Sequence, residues 1–369
     1  MTNCLKPLIL GDLKIDIPLV QGGMGVRVST APLAGAVANC GAVGTIAGVG
    51  LADEDDCIGR DNFFRSSRQA LVDEIHKTRE LTKGVVGVNL MVALTNYEDL
   101  ARAAAQEDIN FIVSGAGLPL KLPEFTLGTD VKIIPIVSSG RVAELIIRTW
   151  KKRYNRVPDA IVIEGPLAGG HLGYKFEELE SNKADNLDHI LAEVLKITSD
   201  ASLKIPIIVG GGIFDGNDIA RVLKLGASGV QMGTRFVTTN ECSVSNEFKQ
   251  AYLNARETDT TIIKSPVGLP GRSIKTKFID GLLKGIKTPF ECKFKCLKTC
   301  DPKSAPYCIA KAMVNAFKGD IDNSVVFAGS SVFRIKKIIS VKELIDELIS
   351  ETCAALAPKN ILSAQVFSS

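Results

Sequence analysis

Ile205-Pro206-Ile207-Ile208-Val209-Gly210-Gly211-Gly212-Ile213-Phe214-Asp215-Gly216 reads as an apolar strand, a glycine turn and the start of a helix. The run is apolar on both faces, as a parallel strand covered by helices must be. Gly226-Ala227-Ser228-Gly229-Val230-Gln231-Met232-Gly233-Thr234-Arg235-Phe236 soon repeats the plan. Six similar runs come earlier: Ile17–Gln21, Ala42–Ala47, Gly84–Met91, Phe111–Ser114, Lys132–Val137 and Ala160–Glu164. Amphipathic stretches alternate with them at Ala31–Cys40, Ser67–Thr82, Tyr97–Gln106, Arg141–Arg153, Leu187–Ser199 and Asn217–Leu225. This α/β rhythm predicts a (β/α)8 TIM barrel rather than an open doubly wound sheet. A dinucleotide-binding sheet would want an acidic residue after its second strand, and Thr45-Ile46-Ala47 ends without one.

In such a barrel the C-terminal strand ends share one rim, where sites are built. Here that rim collects Gln21-Gly22-Gly23-Met24, Asn89, Ser114-Gly115-Ala116-Gly117, Ser138-Ser139-Gly140, Glu164 to His171, Gly210-Gly211-Gly212 and Gly233-Thr234. Loops need turn residues anyway. A cluster on nearly every strand nevertheless points to a large ligand. The glycines of the last two strands can offer bare amides to a phosphate, and Thr234 a hydroxyl. The alternative for them is tight strand-to-helix packing. His171 follows Gly169 and Gly170, so it can approach a ligand closely, and histidine moves protons near neutral pH. Glu164 is either a site carboxylate or a strand-end group satisfied by amides.

Residues 1–257 are expected to form the barrel, 258–304 a Cys-rich lid and 305–369 C-terminal helices that complete the fold. Helices are read at Glu241–Arg256, Ala305–Phe317 and Val341–Leu348. The lid stretch, with Pro266, Gly268, Pro270, Gly271, Gly281, Gly285 and Pro289, is irregular and has too little helical rhythm for a regular barrel unit. Net charge is only +3 and the lysines and arginines are scattered, which argues against nucleic acid. Apolar runs are strand-sized, which argues against a membrane span. Met1-Thr2-Asn3-Cys4 shows no signal-peptide pattern, so a cytoplasmic protein with reduced thiols is expected. The residues leave a homodimer open.

Four of the nine cysteines cluster as Cys292-x3-Cys296-x3-Cys300-x7-Cys308. Four thiolates suffice for a metal ion or an Fe-S cluster, although the spacing is not that of a zinc knuckle. The alternative is a lid with reduced cysteines.

Taken together the motifs resemble the nitronate monooxygenases, formerly 2-nitropropane dioxygenases, a family that includes FMN-dependent enoyl-acyl-carrier-protein reductases. The matching pieces are Ile17 to Gly25, Gly87 to Met91, Ser114 to Gly117, Ala168 to Gly173, Gly210 to Ile213 and Val230 to Phe236. The resemblance implies non-covalent FMN and a small-molecule substrate. Gly22, Gly23, Met24, Asn89, Gly115 and Lys132 would lie near the flavin, with Glu164, Gly170 and Gln231 beside them. Gly210, Gly211, Gly212, Gly233 and Thr234 would hold the phosphate. His171 matches the catalytic histidine, a base toward a nitroalkane. The reductase branch would instead use NAD(P)H. The family's usual Glu-Ala-Gly-Gly-His is altered here, since Leu167 stands at the glutamate position.

Overall fold

The computed structural model describes residues 4–357. Residues 1–3, part of the N-terminal segment read above, and residues 358–369 of the expected C-terminal segment lie outside the described residues. Eight parallel strands form the centre: β1 (Leu19–Gln21), β2 (Gly44–Ala47), β3 (Val86–Met91), β4 (Phe111–Gly115), β5 (Lys132–Val137), β6 (Ile161–Glu164), β7 (Ile207–Gly210) and β8 (Gly229–Met232). Their order is β1-β8-β7-β6-β5-β4-β3-β2. Val20 bridges Val43 in parallel just before β2, so the two end strands meet and the sheet curls into a barrel.

Period-2 alternation splits each strand between two cores. Val20, Val43, Phe111, Val113, Ile134, Val162 and Ile208 fill the barrel interior. Ile112, Ile133, Ile161, Ile163, Ile207 and Val209 belong to the second core, shared with the surrounding helices. An antiparallel hairpin, Leu8–Leu10 with Leu13–Ile15, packs Leu8, Leu10 and Ile15 into the interior cluster. It thereby closes the N-terminal end of the barrel.

The helices start where side chains can satisfy their free amides. Ser139 Oγ accepts from Val142 N at the head of Gly140–Tyr154, and Asp215 accepts from Asn217 N and Asp218 N at the head of Gly216–Lys224. The helix read at Ser67–Thr82 begins earlier, at Arg60, and ends at Leu81. The one read at Glu241–Arg256 is shorter, Asn246–Leu253, because Ser245 caps it. The final helix runs past Leu348 to Leu356 and packs on Gly216–Lys224, with Glu351 Oε2 accepting from Gly216 N at 2.8 Å.

The stretch expected to be irregular contains regular strands. Thr260–Lys264 and Pro270–Ile274 form an antiparallel hairpin. Val326–Phe327 adds to one side of Pro270–Ile274, and Gly170–His171 pairs with the same strand. The hairpin is therefore tied directly to the histidine loop.

The expectation that the scattered cysteines are reduced thiols is corrected for two of them. Cys4 and Cys353 form a disulfide, their Cα atoms 5.6 Å apart. The N-terminal segment and the last helix meet in space, which a separation of 349 residues hides in the sequence. Cys40, Cys57 and Cys242 are free, as are the four clustered cysteines. Among the described residues no helix is long and apolar enough to cross a membrane.

Candidate active site

Strand register puts the rim residues level with one another. Gly210 stands opposite Glu164 on one side and Gln231 on the other, and Met232 stands opposite Gln21. Gln21 is fully buried and braces the first loop. Its Nε2 donates to Ser29 Oγ at 2.8 Å, and its Oε1 accepts from Thr45 N at 3.0 Å. Ser29 Oγ accepts in turn from Met24 N at 2.9 Å. Gly22, Gly23 and Met24 are fixed by these bonds with little side chain between them and the space above.

That space is a chamber of about 330 Å³. Gly22, Gly23, Met24, Asn89, Gly115, Glu164, Gly170, His171, Gly210, Gly211, Gly212, Gln231, Gly233 and Thr234 all border it. A Cβ at Gly23 would stand 2.3 Å from Asn89 Cβ, and one at Gly233 3.2 Å from Met24 Sδ. Close packing of neighbouring segments thus accounts for these glycines, and it leaves their backbones bare toward the chamber.

Lys132 is not part of this site. It begins β5, so it lies at the opposite, N-terminal end of the barrel. There its Nζ pairs with Asp12 Oδ1 at 2.6 Å and packs under Gly11. From the same strand it is Ile136 that lines the chamber.

Sequence reasoning missed a third arm of the cradle. Ala328, Gly329, Ser330 and Ser331 return from the C-terminal part of the chain to line the chamber beside Thr234. Gly329 N donates to Thr234 Oγ1 at 3.0 Å, and Ser330 N donates to the Leu167 carbonyl at 3.1 Å. The signal was present as a small-residue run, Ala328-Gly329-Ser330-Ser331, after the apolar Val325-Val326-Phe327.

His171 is held from two sides. Its Nε2 is 2.8 Å from Ser265 Oγ in the hairpin loop, and its ring meets Phe327 edge-on at 4.8 Å. Burial pulls its pKa down to about 4, so the ring is neutral at pH 7. His76 and His189 are exposed beside Glu107 and Glu193, far from this role. Burial pushes Glu164 the other way, up to about 8. Tyr174 Oη donates to the Glu164 carbonyl at 2.8 Å and holds that strand end. The Pro166–Ala168 turn is clamped by Arg272, whose Nη2 donates to Pro166 O at 2.8 Å and Nε to Ala168 O at 3.2 Å. Leu167 is half exposed and lines the chamber next to Gly212.

The lining suits a large polar ligand. Gln231 Oε1 and both polar atoms of the Asn96 side chain are buried without a partner, and both residues face the chamber. Buried acceptors and donors of this kind are rarely left unpaired. Two chain segments border one end with glycine backbone, around Gly211 and Gly233, as a phosphate requires, and Gly329 braces Thr234 beside them.

A family model described as nitronate monooxygenase matches residues 6–351. The chain belongs to the nitronate monooxygenase family. By that membership it is an oxidoreductase. A probable nitronate monooxygenase of Staphylococcus aureus strain MSSA476 is 29% identical over 300 residues, covering 73% of this chain and 78% of the relative. The counterpart in strain Newman is 30% identical over the same coverage. Among solved structures, FabK from Thermotoga maritima is 26% identical with a TM-score of 0.71, covering 93% of this chain and 94% of that one. A nitroalkane oxidase from Streptomyces ansochromogenes shares the fold at 20% identity, with a TM-score of 0.72 and coverage of 92% and 96%.

The four clustered cysteines lie outside the main chamber. Cys292, Cys296, Cys300 and Cys308 line a second hollow of about 280 Å³. Among the described residues no group of three or more His, Cys, Asp or Glu side chains is set to hold a single metal ion.

Proposed function

We propose that this nitronate monooxygenase family member oxidises nitronates and their parent nitroalkanes with oxygen, using His171 as the base. The observation that carries this reading is a neutral, partly buried imidazole on the wall of a flavin-sized chamber. FMN would be held by the amides around Gly210 to Gly212 and Gly233, with Thr234, braced by Gly329, beside them and Gln231 and Asn89 offered to its polar edge. When bound, it supplies an acceptor for two electrons from the substrate carbon.

The chain's own residues do the rest. With Nε2–H donating to Ser265 Oγ, the lone pair of Nδ1 is free to take a proton. A neutral nitroalkane gives up the proton on the carbon bearing its nitro group, and the C–H electron pair stays on the substrate as the nitronate. Glu164 is protonated at pH 7 and can donate a hydrogen bond into the chamber. The hairpin over the histidine loop screens the reacting carbon from bulk water.

A second reading is an NAD(P)H-dependent reductase of enoyl thioesters or quinones. Leu167 in place of a glutamate favours it, since an apolar wall suits an acyl chain better than a small nitro compound. The likeness to FabK points the same way. Anaerobic mixing separates the two. Bleaching of bound flavin by a nitronate, and not by NADPH, supports the oxidase. Bleaching by NADPH alone overturns it. In a His171→Ala variant, flavin should stay bound while turnover of neutral nitroalkane falls by about 10²–10⁴-fold, the usual worth of a positioned base. Turnover of preformed nitronate should fall less.

A further inference from the structure

The cysteine hollow is unused by the reaction described above. Its four cysteines are all free thiols, and all four border the same space. A backbone donor points at one of the sulfurs. Lys295 N donates to Cys292 Sγ at 3.4 Å. Such an N–H···S bond stabilises sulfur as thiolate. Cys308 stands at the N-cap of the helix Ile309–Lys318, beside that helix's free first amides. Four free thiols around one space form a ligand set for a positive centre.

A single zinc ion does not suit the arrangement. It needs four sulfurs about 2.3 Å from one point, and no three side chains converge in that way. The four cysteines instead line a hollow of about 280 Å³. An iron–sulfur core fills such a space, because each cysteine binds its own corner of the core and inorganic sulfide fills the middle. Lys293, Lys295 and Lys298 add positive charge around what would be an anionic group.

The hollow also has a fixed position. Leu297 bridges Leu94 just beyond β3, Lys298 N donates to Ala93 O at 2.9 Å, and Thr95 N donates to Cys296 O at 3.0 Å. Phe294, Cys296, Leu297 and Ile309 line both this hollow and the main chamber.

We propose that Cys292, Cys296, Cys300 and Cys308 bind an iron–sulfur cluster, separated from the flavin chamber by a single wall of side chains. The test uses the full chain, purified without oxygen and supplied with ⁵⁷Fe and sulfide. Iron and acid-labile sulfide should appear in equal amounts, at about two or more of each per chain. Mössbauer spectra, which are blind to flavin, should show iron in tetrahedral sulfur sites. Cys292→Ser and Cys300→Ser should each lower bound iron at least about fivefold, while Cys40→Ser, at the end of an outer helix, should not. Less than about half an iron per chain overturns the proposal, as does zinc in place of iron. So does iron retained when all four cysteines are serine. If a serine variant fails to fold by circular dichroism, the iron and sulfide content of the parent decides alone. None of these readings depends on nitronate turnover, so a wrong substrate and a missing cluster give different results.

Discussion

His171 and Glu164 face one chamber and are pushed to neutrality from opposite sides. Burial lowers the histidine to about 4 and raises the carboxyl to about 8. The acid limb of kcat/KM for a neutral nitroalkane is therefore expected near pH 4 rather than near the usual 6.5 of histidine. An acid limb between 6 and 7 would contradict a buried neutral base. Glu164 also has a stability signature. Its folded pKa lies above the unfolded value of 4.5, so the folded state keeps a proton that the unfolded state has lost. Stability of the flavin-free protein should fall as pH rises from about 4.5 to about 8, and Glu164→Gln should flatten that slope in denaturant titrations. A slope unchanged by the substitution would mean that Glu164 is ionised. At this scale the position of His171 on the chamber wall was legible, because it follows paired glycines at a strand end. The sequence was silent about Ser265, which lies 94 residues away and reaches His171 only through strand pairing.

The elements explain why some residues were legible and others were not. Lys132 was placed near the flavin by motif position. The direction of β5 puts the first residue of the strand at the closed end, where Asp12 takes its charge. Strand polarity alone would have excluded it. The hairpin Thr260–Ile274 was missed although Thr260-Thr261-Ile262-Ile263 is β-branched and a Pro-Val-Gly turn follows. Helical periodicity was sought there, and its absence was taken for disorder of pattern. Gly211 is constrained by packing as well as by the ligand it was expected to hold. Its φ is +91°, and a Cβ would stand 2.8 Å from the Gly165 carbonyl oxygen. Gly211→Ala should therefore cost about 1–3 kcal/mol in folding stability as well as weakening flavin binding. Gly170→Ala, at φ +82° but facing open space, should cost less. Equal losses in thermal melts would show that the contact with Gly165 is unimportant.

For the whole molecule, the barrel was legible because its strands are local and repeat one after another. What closes the site was not, because it comes from the far end of the chain. Gly329 meets Thr234, Arg272 holds Pro166, and Cys353 meets Cys4. Pairings over such separations leave no periodic trace. The disulfide carries a prediction of its own. Cys353→Ser should lower stability by about 2–4 kcal/mol, read as a fall in Tm under non-reducing conditions. Flavin content should not change, since the bond lies away from the chamber lining. A Tm unchanged by the substitution would mean that the bond does not form in the folded protein.

Because residues 4 and 353 are neighbours, the barrel has no intrinsic need to begin and end where it does. A circular permutant could join the two ends through a short linker and open the chain at Leu127-Gly128. That tip is 84% exposed at Leu127, has nothing packed over Gly128, and precedes the closed end of β5. Breaks at exposed tips are the ones that folds tolerate. The rearranged chain should bind flavin within about tenfold of the parent affinity, with its first and last residues now on the face remote from the chemistry.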